Sequence, residues 1–139
     1  MEGVTDLRTL KATMQPVLLE GAYVFCSVSQ EAYDSLSLRP LGTFREQEGI
    51  TLIITEEQAR GAGLPFDSSW ACISLTVHSA LTAVGFLAAI TARLAEAGIS
   101  VNAVSAYYHD HLFVPWERRE EAMEVLKNGV GPREQIFSD

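Results

Sequence analysis

Positive charge is scarce in this chain. Ten Lys and Arg face eighteen Asp and Glu, a net charge of −8. That balance argues against a nucleic-acid backbone or an anionic membrane as the main partner. Long apolar runs are missing as well. None approaches the roughly 20 residues needed to span a bilayer, and the opening stretch MEGVTDLRTLK starts acidic, without the apolar core of a secretion signal. A cytoplasmic protein is expected. Cysteine is down to Cys26 and Cys72, each inside a strand-like run, YVFCSV and ACISLTV. Two buried free thiols are expected rather than a disulfide. Neither has a second cysteine or a histidine at ligand spacing, which argues against a zinc site built on them. No serine or cysteine has a nucleophile's setting, and Ser79 and Ser105 read as ordinary strand residues.

What remains is globular: 139 residues, 47% hydrophobic and 20% charged, enough for one compact domain or two very small ones sharing a core. Asp6 or Thr5 can cap a first helix, with Leu7, Leu10 and Met14 on one face and Pro16 as its stop. YVFCSV is a strand by its β-branched and aromatic content. SQEAYDSLSLRP suits a short, poor helix or a loop. LGTFREQ and ITLIIT flank Glu48-Gly49, a hairpin signal. Thr55-Glu56-Glu57-Gln58 is a capping box for a short helix ending at Gly61 or Gly63. From Trp70 the pattern repeats. ACISLTVHS is a strand, and Leu87, Ile90, Leu94 and Ala97 fall at helical spacing up to Gly98. ISVNAVSAYY is a strand with Ile99, Val101, Ala103, Ser105 and Tyr107 on one face, and LFVP is a short one. Trp116 to Lys127 is a helix stopped by Asn128-Gly129, and a last short strand fits Gln135 to Phe137. Each half reads β-α-β-β-α, the split βαβ pattern of an α+β fold with helices on one face of an antiparallel sheet.

Two stretches bear on function. YYHDHLFVP (Tyr107 to Pro115) sets His109 and His111 two apart, so in a strand they share a face, as two metal ligands would. His78 is the one further histidine. The same stretch sits between two strands that need a tight connection, and Asp110 suits a turn. Turn, metal site and pocket wall are the three readings, the turn foremost. The second stretch is Val77 to Ala106. Here a strand ends, a polar loop runs from Ser79 to Ala83, and a helix starts near Val84-Gly85. A helix start offers free amides and partial positive charge to a carboxylate. Asn102 on the next strand offers a donor and an acceptor. The plain alternative is that Gly85 only permits close packing and Asn102 is merely solvated.

The run VGFLAAITARLAEAGISVNAVSA resembles an ACT domain, as in the regulatory repeats of aspartate kinases. PVLLEGAYVFCSV, QEGITLIIT, ISLTVHSALTAVGFLAAI and YYHDHLFVPWER are similar to small stand-alone tandem-ACT proteins and to CASTOR-type amino-acid sensors. The likeness covers residues 15 to 128 and is loosest between Ser29 and Pro40. It implies ferredoxin-like βαββαβ units in tandem: residues 1–69 as a helix plus a degenerate repeat and 70–139 as an ACT domain, sharing one compact unit. It implies a free amino acid as ligand, held by Ser79, Thr82, Ala83, Val84, Gly85 and Phe86 with Asn102, Ala103 and Val104. It places YYHDHLFVP at a hairpin. The expected function is an amino-acid sensor or regulatory module, not an enzyme and without cofactor, acting through a partner or as a homodimer or other homo-oligomer. The alternatives are a ligand-free dimerisation module and a metal-dependent enzyme using His78, His109 and His111.

Overall fold

The computed structural model describes residues 14–76 and 85–128. The expected first helix up to Pro16, His78 and the strand expected near Gln135 lie wholly or mostly outside these residues. In chain order the elements are β1 (Pro16–Leu18), β2 (Tyr23–Val28), α1 (Gln30–Ser35), β3 (Gly42–Arg45), β4 (Ile50–Thr55), α2 (Glu56–Ala62), β5 (Trp70–Leu75), α3 (Phe86–Glu96), β6 (Asn102–Ser105), β7 (Asp110–Pro115), a 3-10 turn (Trp116–Arg118) and α4 (Arg119–Asn128). They form two compact units. The first is Glu20–Trp70. The second joins the N-terminal segment to Leu19 with everything from Ala71 on.

In the first unit β4 lies between β3 and β2, antiparallel to both. Alternation sends Val24, Cys26, Ile50, Leu52 and Ile54 to one face, where Ala59 of α2 covers them. The ambiguous SQEAYDSLSLRP resolves into a helix of one and a half turns, α1. Ser29 caps it by accepting from the Ala32 amide, and it buries no residue. The β3–β4 hairpin closes through reciprocal Glu46 and Gly49 backbone bonds of 2.8 and 3.3 Å. A side chain at Gly49 would put its Cβ 2.7 Å from the Val28 carbonyl oxygen, so only glycine fits this close approach. Both halves of the expected capping box are present: Gln58 N–H donates to the Thr55 hydroxyl at 3.0 Å, and Thr55 N–H to the Gln58 carboxamide at 2.9 Å.

In the second unit the strand order is β1-β5-β7-β6. The edge beside β5 is filled by the N-terminal strand, Pro16 opposite Leu75 and Leu18 opposite Ile73. Phe86, Ile90 and Leu94 form one stripe of α3 and pack on Ala71, Ile73, Leu75, Leu112 and Val114, with Ala122 and Leu126 of α4. Leu94 accepts from the Ile99 amide and Ala95 from the Gly98 amide, both at 2.9 Å. This is the paired closure of a Schellman motif, with Leu94 and Ile99 both buried. Among the described residues no helix is long and apolar enough to cross a membrane. Both cysteines are buried free thiols, as expected.

Candidate functional site

α3 starts at Gly85, which adopts a left-handed φ of 83° and supplies no side-chain cap. Among the described residues, a Cβ at this position would meet nothing within 4 Å. So the strain of this φ, not crowding, is what selects glycine here. The first turn of this eleven-residue helix has no acidic side chain, and its dipole favours an anion brought from elsewhere. Phe86 is buried in the core. Its ring is packing, and what it can offer a ligand is its backbone amide.

The other predicted residues lie on β6, whose four residues are all exposed. Among the described residues β6 is paired only to β7 in the sheet order. Register divides them. Ala103 is opposite Leu112, a core residue on the helix-bearing face. Asn102 and Val104 are opposite Phe113 and His111 on the other face. β6 can therefore meet a ligand on the α3 side through Ala103 and its edge backbone, while the Asn102 carboxamide serves the far face. Ser79, Thr82, Ala83 and Val84 lie outside the described residues. The expected long strand from Ile99 shrinks to these four, because Ile99 is drawn into the core behind α3.

YYHDHLFVP is a hairpin. Its bend is at Tyr107 and Tyr108, not at Asp110: the Ala106 amide donates to the His109 carbonyl at 3.0 Å, and Asp110 already pairs with Ser105. Tyr107 and Tyr108 pack edge to face, centroids 4.8 Å apart, and are exposed. His111 Nδ1 lies 2.7 Å from the Ser74 hydroxyl. Burial, then the nearby His109, hold its pKa below the ordinary imidazole value, with Asp110 opposing. Among the described residues no three His, Cys, Asp or Glu side chains gather as a metal site would need.

Sequence reading missed Arg93, a buried guanidinium on α3. It borders a groove of about 230 Å³ between α3 and α4 whose other charged walls are Glu96, Glu121 and Glu124. An arginine among apolar helix positions looks like an exposed one from sequence alone. In the first unit an open hollow of about 580 Å³ lies at the start of α2. There Glu56 accepts from Ser69 at 2.6 Å and from Arg60 at 2.7 Å. These bonds, Ser69 first, lower its pKa.

Two models of the ACT domain match, over residues 2–71 and 65–128. The chain belongs to the ACT-domain family. Its two ACT matches stand in tandem. The fold is shared with a Vibrio cholerae protein of unknown function, described as a possible transport protein. That likeness has 47% identity and a TM-score of 0.80, and covers 88% of this chain and 94% of that one. An Agrobacterium tumefaciens protein matches with 19% identity and a TM-score of 0.67, covering 83% and 87%. The ligand-free regulatory subunit of aspartate kinase from Thermus thermophilus matches with 10% identity and a TM-score of 0.66, covering 86% and 97%. The last two show the fold. No curated protein sequence matches significantly.

Proposed function

We propose that this tandem ACT protein is a sensor module that binds a free amino acid at the start of α3 and signals through a partner or through its own oligomeric state in the cytoplasm. The observation that carries this reading is an α3 N-terminus without a side-chain cap, opened by a left-handed glycine that no described residue crowds, in a chain of the ACT family. The ligand's α-carboxylate meets the amides from Gly85 on. Ala103 and the open backbone of β6 shape the space for its side chain, with Ser79, Thr82, Ala83 and Val84 contributing from the preceding segment. A ligand that binds only the native state raises the unfolding midpoint through about RT ln(1 + [L]/Kd).

The test is thermal unfolding against the twenty amino acids at millimolar concentration, in wild type and in Gly85→Asn. Asparagine tolerates the left-handed conformation, and its side chain takes up space beside the amides that the ligand would use. Wild type should shift with one amino acid or a few related ones, and the variant should fold normally and not shift. An unchanged shift in the variant overturns the placement. A second reading, an interaction module without ligand, draws on the exposed edge strands and on Phe44 of β3, 71% exposed. It takes over if no amino acid shifts the wild type.

A further inference from the structure

On the sheet face away from the helices, the second unit carries one row of side chains across all four strands. Val17 is opposite Ser74, Ser74 bonds His111 at 2.7 Å, and His111 is opposite Val104. The row lies toward the bend of the β6–β7 hairpin. Beyond it along β7, Leu112, Phe113 and Val114 are fully packed, whereas Val104, Ser105, Tyr107 and Tyr108 are exposed. The inner half of the hairpin is thus held by core packing. At its outer end, among the described residues, the Ser74–His111 bond is a side-chain tie to β5.

We propose that His111 is a proton-operated clasp, which when neutral holds the outer end of the β6–β7 hairpin to β5 and when protonated lets that end open while the inner half stays packed. A half-buried imidazolium loses hydration. His109, two residues away on the same face, repels it, and Asp110, which attracts it, points to the opposite face. From β5 it faces Ser74, with Cys72 two residues away on the same strand face. From β6 it faces Val104 and Asn102, and Val17 of β1 ends the row. Among the described residues of those neighbouring strands, none facing it is a carboxylate. The pKa direction agrees: the closed form titrates below the ordinary value of 6.5, the open form near it. The clasp is therefore firm above about pH 6.5 and loosens as pH falls, by at most about tenfold in opening per pH unit between the two values. No ligand is involved, so the inference stands apart from the sensor reading.

Backbone amide exchange at pH 7.5 and 5.5, corrected for intrinsic rates, reads the opening directly. Ala106 and His109 form a hydrogen-bonded pair, so by alternation Val104 and His111 do too. By the same alternation the Asp110 and Leu112 amides point away from β6, toward β5, and opening at the Asp110 amide should rise several-fold at the lower pH, with Leu94 and Phe113 unmoved. His111→Gln should remove the rise and His109→Gln should retain it. The clasp is overturned by an equal rise in His111→Gln or by no rise in wild type. It is equally overturned, without any variant, if the His111 ring of the native protein titrates by NMR at 6.5 or above.

Discussion

The two units run through the same order of elements, yet they cover their sheets differently. In the second unit α3 and α4 have eleven and ten residues and bury Phe86, Ile90, Leu94, Ala122 and Leu126 against the strands. In the first, α1 and α2 have six and seven residues, and Ala59 is the single helical side chain in the buried cluster. Loop residues stand in for the missing helix: Leu36, Leu38, Leu64 and Phe66 lean on the same sheet face. A sheet of alternating strands can thus keep its pattern while its cover changes from helix to loop. What is lost is the dense interlock that a long amphipathic helix provides.

Truncating one fully buried leucine in each unit tests that contrast most strongly. Leu94→Ala should cost about 3–5 kcal/mol, and Leu52→Ala should fall near 2–3, because loop side chains can settle into the space left. Urea unfolding of the two variants gives both numbers, and equal costs would break the comparison. The thiols sharpen it. Burial raises both, and Cys72 of the second unit reaches about 11 from an ordinary 9.0. A folded pKa above the unfolded one stabilises fully below pH 9 and is lost as pH climbs to 11. Stability should therefore drop by up to about 2–3 kcal/mol across that window, and Cys72→Ala should flatten the drop more than Cys26→Ala does. The smallest effect concerns caps. Thr55→Ala removes one half of the α2 capping box and should cost about 1 kcal/mol, measurable as a shift in urea midpoint. A cost well below this would mean that α2 is held by packing after all.

Much of this was legible. The Thr55–Gln58 box, the Gly49 hairpin and the strand alternation are local chemistry, and they appear where their residues stand. The hairpin in YYHDHLFVP was legible as an element but not at its bend. Two tyrosines occupy the turn without the usual Gly, Asn or Asp signal, and Asp110 was the more obvious candidate. The Ser74–His111 bond joins residues 37 positions apart, and no spacing rule points to it. The candidate ligand site was legible as a helix start beside a neighbouring strand. That Asn102 and Ala103 serve opposite faces follows from register, which short strands specify only once they are paired.

β1 is three residues long, yet it has a consequence for how the chain assembles. It is made before the first unit, but its partner residues on β5 follow about sixty positions later, so the ring it closes spans the entire first unit. The early strand must wait through synthesis of Glu20–Trp70 before its place exists. Such a nonlocal pairing slows folding relative to the local hairpins. Residues 20–70 are then both a unit in their own right and the loop whose closure the second unit needs. A shorter route between Leu19 and Ala71 would speed that closure, and a longer one would delay it only slightly, since closure entropy grows with the logarithm of length.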